Sequence, residues 1–391
     1  MKTPPFDALV VGSGFAGAIL AERLASQKDL RVLLIERREH IGGNMYDCLD
    51  THGILVHKYG PHIFRTNSRT VMDYLGRFTE LRPYEHRVLA EVDGTFVPVP
   101  FNLTSLECLF SREIATGLQR KLVQAFGARP DVPILELMIH ADPELSRLGN
   151  FIFEKIYRHY TIKQWGLAPE ALDFGATTRR VPVRLSKDDR YFQHRIQGIP
   201  AEGYTRLFER MLNHPNISIL RSFDARQALA FHPDQGRITF ERAVFEGPIV
   251  YTGAIDELFD HKYGPLPWRA LRFDFETISR TQFQPVAVVN YPNTNEFTRI
   301  TEFKHLTGQV VEGKTSIARE YSLEYRHEMS ARMGLEPSYP ILRDASHELF
   351  TRYFEESKRY PNLHLVGRLA EYRYYDMNDI ILRALEVFEE I

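Results

Sequence analysis

Two cysteines, Cys48 and Cys108, are all that 391 residues contain, which excludes a disulfide framework, a CxxC redox pair and a cysteine metal site. No metal is expected. Apolar runs are short, and none approaches the roughly 18 residues that a membrane-crossing helix requires. The opening MKTPPFDALVVGSG lacks the basic and apolar stretches of a secretion signal. An excess of one charge is also missing: 49 basic residues face 51 acidic ones, a net charge of −2, so nothing favours a nucleic-acid partner. Repeats, low-complexity tracts and Gly/Ser linkers are absent, so two or three domains should be interleaved along the chain. These absences imply a soluble cytoplasmic chain with neither membrane nor nucleic acid as partner. What is abundant is arginine, 38 of the 49 basic residues, whose planar fork suits small phosphorylated ligands.

The most legible segment is the first. Ala8-Leu9-Val10-Val11 is an apolar run suited to a buried parallel strand, Gly12-Ser-Gly14-Phe15-Ala-Gly17 follows, and AILAERLAS then reads as helix. A second run, Arg31-Val-Leu-Leu-Ile-Glu36, ends on an acid. This is a βαβ unit for a dinucleotide: Gly12 for the tight turn, Gly14 for backbone approach to a pyrophosphate, Gly17 for close packing and Glu36 for the adenosine ribose. Arg37 follows the acid, and Gly42, Gly43 and Asn44 lie where a nicotinamide enzyme usually continues into helix, which favours FAD over NAD. The late run Leu363-His-Leu-Val-Gly367-Arg368 predicts a return to the cofactor, with a helix near Asn378 aiming its N–H groups at the flavin.

Between these ends, Arg87–Val92, Asp93-Gly94 and Thr95–Val99 predict a hairpin with a two-residue turn. Residues 105–165 turn helical, with Phe153, Ile156, Tyr157 and Tyr160 spaced for one helix face. Short strands are expected at 217–220, 237–240, 249–251 and 286–289, and a terminal helix over 379–391. The fold class is therefore α/β, a Rossmann-like FAD-binding domain of glutathione-reductase-like type with an inserted helical domain and an antiparallel sheet domain. The expected division is 1–85, 203–260 and 342–391 for FAD, 105–172 for the helical insert, and 86–104, 173–202 and 261–341 for the sheet.

Six further strings carry a resemblance. Tyr59-Gly60-Pro61-His62-Ile63-Phe64, Tyr160-Thr-Ile-Lys-Gln-Trp165-Gly166, Arg180-Val-Pro-Val-Arg184, Asn290-Tyr-Pro-Asn, Phe297-Thr-Arg299-Ile-Thr-Glu-Phe-Lys304-His305 and Gly367-Arg368-Leu-Ala-Glu-Tyr372-Arg373-Tyr374-Tyr375-Asp376-Met377 resemble bacterial UDP-galactopyranose mutase in order and spacing. The resemblance runs nearly the full chain. It departs at Gly175–Arg180, where an extra residue leaves Arg179 and Arg180 as alternatives for the arginine of a mobile substrate loop, and at Tyr321–Pro340, which is unlike the family text.

The resemblance implies a redox-neutral interconversion of UDP-galactopyranose and UDP-galactofuranose through a covalent adduct between N5 of reduced FAD and the anomeric carbon of the sugar. It implies a UDP-sugar partner and a homo-oligomer such as a dimer. Tyr160 would meet the uracil and Trp165 the sugar, with Tyr157 a further substrate-binding residue. Arg180 and Arg299 would clamp the diphosphate with hydroxyls from Tyr191, Tyr321 and Tyr374, and Asn290 would lie near the sugar. Arg368 would sit near flavin N5, His62 and Ile63 in the loop facing the flavin, and Met377 at the helix start. His62 could act as a base or through its carbonyl. Three other readings stay open: the same fold acting on UDP-N-acetylgalactosamine or another UDP-pyranose, an FAD amine oxidase-like oxidoreductase, and a flavin-binding scaffold with a decayed site.

Overall fold

The Ala8–Val11 strand is buried, and such a strand needs neighbours along both edges. Val32–Ile35 pairs with one edge and Ile249–Tyr251 with the other, both parallel. Ile217–Leu220 and Leu363–Leu365 complete a five-stranded parallel sheet, drawn from the start, the middle and the end of the chain. Helices Phe15–Lys28 and Met377–Glu390 pack against each other beside it. The computed structural model describes residues 5–127, 129–169, 182–327 and 332–391.

A seven-stranded sheet forms the second layer, in the order Pro337–Pro340, Trp268–Ile278, Thr315–Glu324, Arg299–Glu302, Val288–Asn290, Val88–Val92 and Thr95–Val99. All its pairings are antiparallel except Val288–Asn290 with Val88–Val92. The last two strands are the expected hairpin, and Asp93 and Gly94 supply its two positive φ angles, 50° and 84°. The strand expected at 286–289 runs over Val288–Asn290, and the carbonyls of Val286 and Ala287 before it accept from the Gln284 side-chain amide.

Between the hairpin and the parallel sheet's return lie helices Leu103–Leu109, Arg112–Phe126 and Pro143–Ile152, started by the side chains of Asn102, Ser111 and Asp142. Pro143–Ile152 runs through a π-helical turn, Phe153–Arg158, directly into helix His159–Trp165. That wider turn breaks the 3.6-residue spacing read from the sequence. Phe153 and Ile156 are buried, while Tyr157 and Tyr160 are only half-buried. The terminal helix begins at Met377, two residues ahead of the expected start, because Asp376 caps it reciprocally with Asp379. No helix among the described residues is long and apolar enough to cross a membrane.

Candidate active site

A cleft of about 220 Å³ opens where the parallel strands end, and the residues just beyond those ends, Gly12, Glu36, Thr252 and Gly367, line it. Sequence dictates the closeness of its walls. Gly12 has φ +97°, and a Cβ there would lie 2.1 Å from Thr252 Oγ1; a Cβ on Gly17 would lie 1.8 Å from the Gly12 carbonyl oxygen. Gly14 and Gly43 face each other: a Cβ on Gly43 would sit 2.9 Å from Gly14 Cα, whereas one on Gly14 would meet nothing nearer than 3.9 Å. Backbone left clear in this way is what a pyrophosphate needs.

Glu36 is fixed at its strand end. Its Oε2 accepts from the Ser13 amide at 2.9 Å and hydroxyl at 2.6 Å, and its Oε1 from the Arg38 amide at 3.0 Å. Oε2 is thereby filled, and Oε1 keeps a lone pair for a ribose hydroxyl. Arg38 donates to Asn44 Oδ1 at 3.0 Å and lies 4.4 Å over the Tyr59 ring, and its buried Nη1 has no partner among the described residues. An orphaned guanidinium donor beside a glycine cradle fits a phosphate-bearing cofactor. Phe15 and Met377 also line the cleft. Gly17 and Ile63 do not; Ile63 is buried in the core.

A smaller cleft adjoins the first and shares Asn44, His62 and Arg368 with it. Arg368 donates to the carbonyls of Ser338 at 3.1 Å and Tyr375 at 2.6 Å, and its guanidinium lies 5.0 Å from the Tyr339 ring and 5.1 Å from the Tyr374 ring. Those two rings are near parallel at 6.2 Å, and Trp165 meets Tyr339 edge-on at 6.3 Å. Arg299 binds Glu320 through Nε and Nη2, both at 2.7 Å. Burial, countered by Arg299, raises the pKa values of the Tyr160 and Tyr191 phenols, which stay protonated donors. Asn290 pairs directly across from Arg299 on the neighbouring strand.

The structure thus gathers Tyr160, Trp165, Tyr191, Arg299, Arg368 and Tyr374, with Tyr157 near Tyr191. Tyr321 is not among them. Strand residues alternate faces, and Glu320 and Ser322 turn toward Arg299 and the Trp165 helix, so Tyr321 turns away under the Arg272 guanidinium at 3.9 Å. Tyr339, which the sequence did not single out, lies beside Arg368 and Tyr374 instead. Arg179 and Arg180 lie outside the described residues.

Several positioning residues were not singled out in the sequence, because their roles arise from distant pairings. Lys163 Nζ binds the carbonyls of Tyr291, Asn295 and Phe297, tying the Tyr160–Trp165 helix to the turn before Arg299, and burial lowers its pKa to about 8. Arg269 donates to the carbonyls of Lys163 and Gln164 at that helix's end. Arg184 holds the carbonyls of Arg190 and Tyr191. The His62 amide donates to His57 Nδ1 at 3.1 Å, and its carbonyl accepts from the Tyr204 hydroxyl at 3.2 Å. Burial, then His57, Arg368 and Arg299, push the His62 pKa down to about 3, so its ring is neutral near pH 7.

Fold and site together define a dinucleotide-binding α/β protein whose cofactor cleft adjoins a cluster of arginines and aromatic hydroxyls. The UDP-galactopyranose mutase family model matches residues 155–374, and an NAD(P)-binding Rossmann-like model matches 10–78. The chain is 34% identical over 389 residues to a UDP-galactopyranose mutase of Mycoplasma pneumoniae, covering 99% of this chain and 96% of the relative. It is 33% identical over 380 residues to a dTDP-fucopyranose mutase of Escherichia coli, covering 97% and 96%. A solved structure of reduced UDP-galactopyranose mutase shares the fold with a TM-score of 0.74 at 19% identity, covering 100% of this chain and 94% of that one. The chain belongs to the UDP-galactopyranose mutase family. It is an isomerase, and its cofactor is FAD, which the glycine cradle, Glu36 and Arg38 fit.

Proposed function

We propose that this chain interconverts UDP-galactopyranose and UDP-galactofuranose at the junction of the two clefts. The observation that carries this reading is the convergence of Arg299, Arg368, Tyr339, Tyr374, Tyr160 and Trp165 beside the cofactor cleft. Bound and reduced, FAD supplies the N5 electron pair for the adduct chemistry characteristic of the family. The side chains bind, orient and stabilise charge. Arg299 and Arg368 meet the diphosphate, whose charge grows as the bond to the anomeric carbon breaks, and the family resemblance adds Arg179 or Arg180, both outside the described residues. Hydroxyls of Tyr191, Tyr339 and Tyr374 donate to the same oxygens. Tyr160, backed by Tyr157, takes the uracil face, and Trp165 and Asn290 flank the sugar. His62, neutral and held at both ends of its peptide unit, serves the cofactor through its carbonyl, since its ring is a poor base near pH 7.

The division given above, a discontinuous FAD unit with a helical insert and a sheet unit, belongs to the same proposal, as do a cytoplasmic location and a homo-oligomeric state. The two free cysteines suit a reducing compartment. Product analysis with UDP-galactopyranose, UDP-N-acetylgalactosamine and dTDP-fucopyranose in parallel tests the substrate: the first should turn over with the highest kcat/KM, and preference for either competitor would overturn it.

A further inference from the structure

Glu336 sits in the stretch that departs from the family text, immediately before the edge strand Pro337–Pro340. Its carboxylate reaches out of the seven-stranded sheet to the opposite wall of the cofactor cleft. There it binds the guanidinium of Arg37 and, at 3.1 Å, that of Arg38, the two residues directly after the ribose acid Glu36. Two residues further on, the Ser338 carbonyl accepts from Arg368 at 3.1 Å. The other side of Arg37 is occupied by Glu257 at 3.2 Å, and Arg38 also holds Asn44 at 3.0 Å. Both arginines are thus anchored on the parallel-sheet side while Glu336 ties them to the other layer. Glu336, Ser338, Arg37 and Arg38 all line the cleft, so this bridge crosses the space the dinucleotide enters.

We propose that Glu336 is a clasp over the cofactor cleft, a carboxylate whose two ion pairs must open before FAD can enter or leave. The inference rests on the assignment of FAD to this cleft. Its physical content is kinetic. Glu336 joins its own wall of the cleft to two protein groups on the opposite wall, so its ion pairs need no cofactor to form, and they should slow passage in both directions while changing the equilibrium little. Charge-assisted pairs of this kind, with side chains 15–33% exposed, are screened only in part by salt.

Glu336→Gln keeps the shape and removes the charge. FAD release from the full-length holoenzyme can be followed by recovery of flavin fluorescence on dilution, and FAD uptake by quenching on mixing with the same chain stripped of flavin. Both rates should rise about tenfold, with the dissociation constant within about threefold of wild type. The wild-type rates should rise with salt while those of the variant stay flat. Glu336→Asp, too short to span both arginines, should fall between, and it decides the question if the glutamine variant does not fold. Glu355→Gln, an exposed change on helix Asp344–Ser357, should match wild type. Unchanged rates in both Glu336 variants overturn the clasp, as does faster release with unchanged uptake, which would make Glu336 a contact of the cofactor. A wild-type chain that holds no FAD overturns the cofactor assignment itself, an outcome distinct from the other two.

Discussion

Glu320 lies directly across from Arg299 on the adjacent strand, and a single carboxylate oxygen receives both Nε and Nη2 of the arginine at 2.7 Å. The pair is unequal: the Glu320 side chain is 1% exposed and that of Arg299 is 24% exposed. Arg299→Ala therefore strands a carboxylate with no route to water, at a cost of about 3 kcal/mol. Glu320→Gln leaves an arginine that can turn to solvent and costs only about 1 kcal/mol. Urea unfolding of both variants should show the larger loss in Arg299→Ala, and the reverse order would contradict the geometry.

Tyr339→Phe and Tyr321→Phe separate strand faces in solution. Loss of one hydroxyl that donates to a charged group costs about 1.5 kcal/mol, roughly tenfold in kcat/KM, and that loss should fall on Tyr339. Tyr321→Phe keeps its ring under Arg272 and should stay within about twofold of wild type. Equal losses would remove the distinction between the two residues.

Gly14→Val and Gly17→Ala should fail in different ways. At Gly14, φ is −70° and a Cβ has room, so the chain should fold with near-normal Tm while the added side chain occupies the cradle and FAD occupancy collapses. At Gly17 the added carbon would lie 1.8 Å from the Gly12 carbonyl oxygen, so the fold itself should weaken. Flavin absorbance per chain and thermal melts read both. Full FAD content in Gly14→Val would count against the pyrophosphate assignment.

Acid stability follows from two buried histidines. Burial is the chief cause that takes His62 and His86 down to about 3 from an ordinary value of 6.5. Above pH 6.5 both rings are neutral in the folded and unfolded chain alike. Between pH 6.5 and about 3 the unfolded chain binds protons that the folded one refuses, so stability falls as pH falls, by up to about 1.4 kcal/mol per pH unit for each histidine. His86→Asn and His62→Gln should flatten the dependence of the urea midpoint between pH 6.5 and 4.5. An unchanged slope in both would show that neither ring is held neutral.

The cofactor half of the site was legible because it is local. Gly12, Gly14, Gly17 and Glu36 belong to one strand–helix–strand unit, and the Asp93-Gly94 turn sits between two strands of matching pattern. The remainder depends on pairings between segments far apart in sequence. Whether Tyr321 or Tyr339 faces the cleft is a matter of strand parity, which a shift of one residue reverses. The π-helical turn altered the face that Tyr160 presents. Glu320, Lys163, Arg269 and Glu336 read as ordinary charged residues until the two sheets and the Trp165 helix are assembled around them.

Turnover of UDP-galactopyranose by matched samples of oxidised and dithionite-reduced holoenzyme tests the central claim most directly. The furanose should form only in the reduced sample, over many turnovers per flavin and with no stoichiometric consumption of reductant, because only the reduced N5 has the electron pair the reaction uses. Equal rates in the two samples, or one reductant spent for each product formed, would contradict the account.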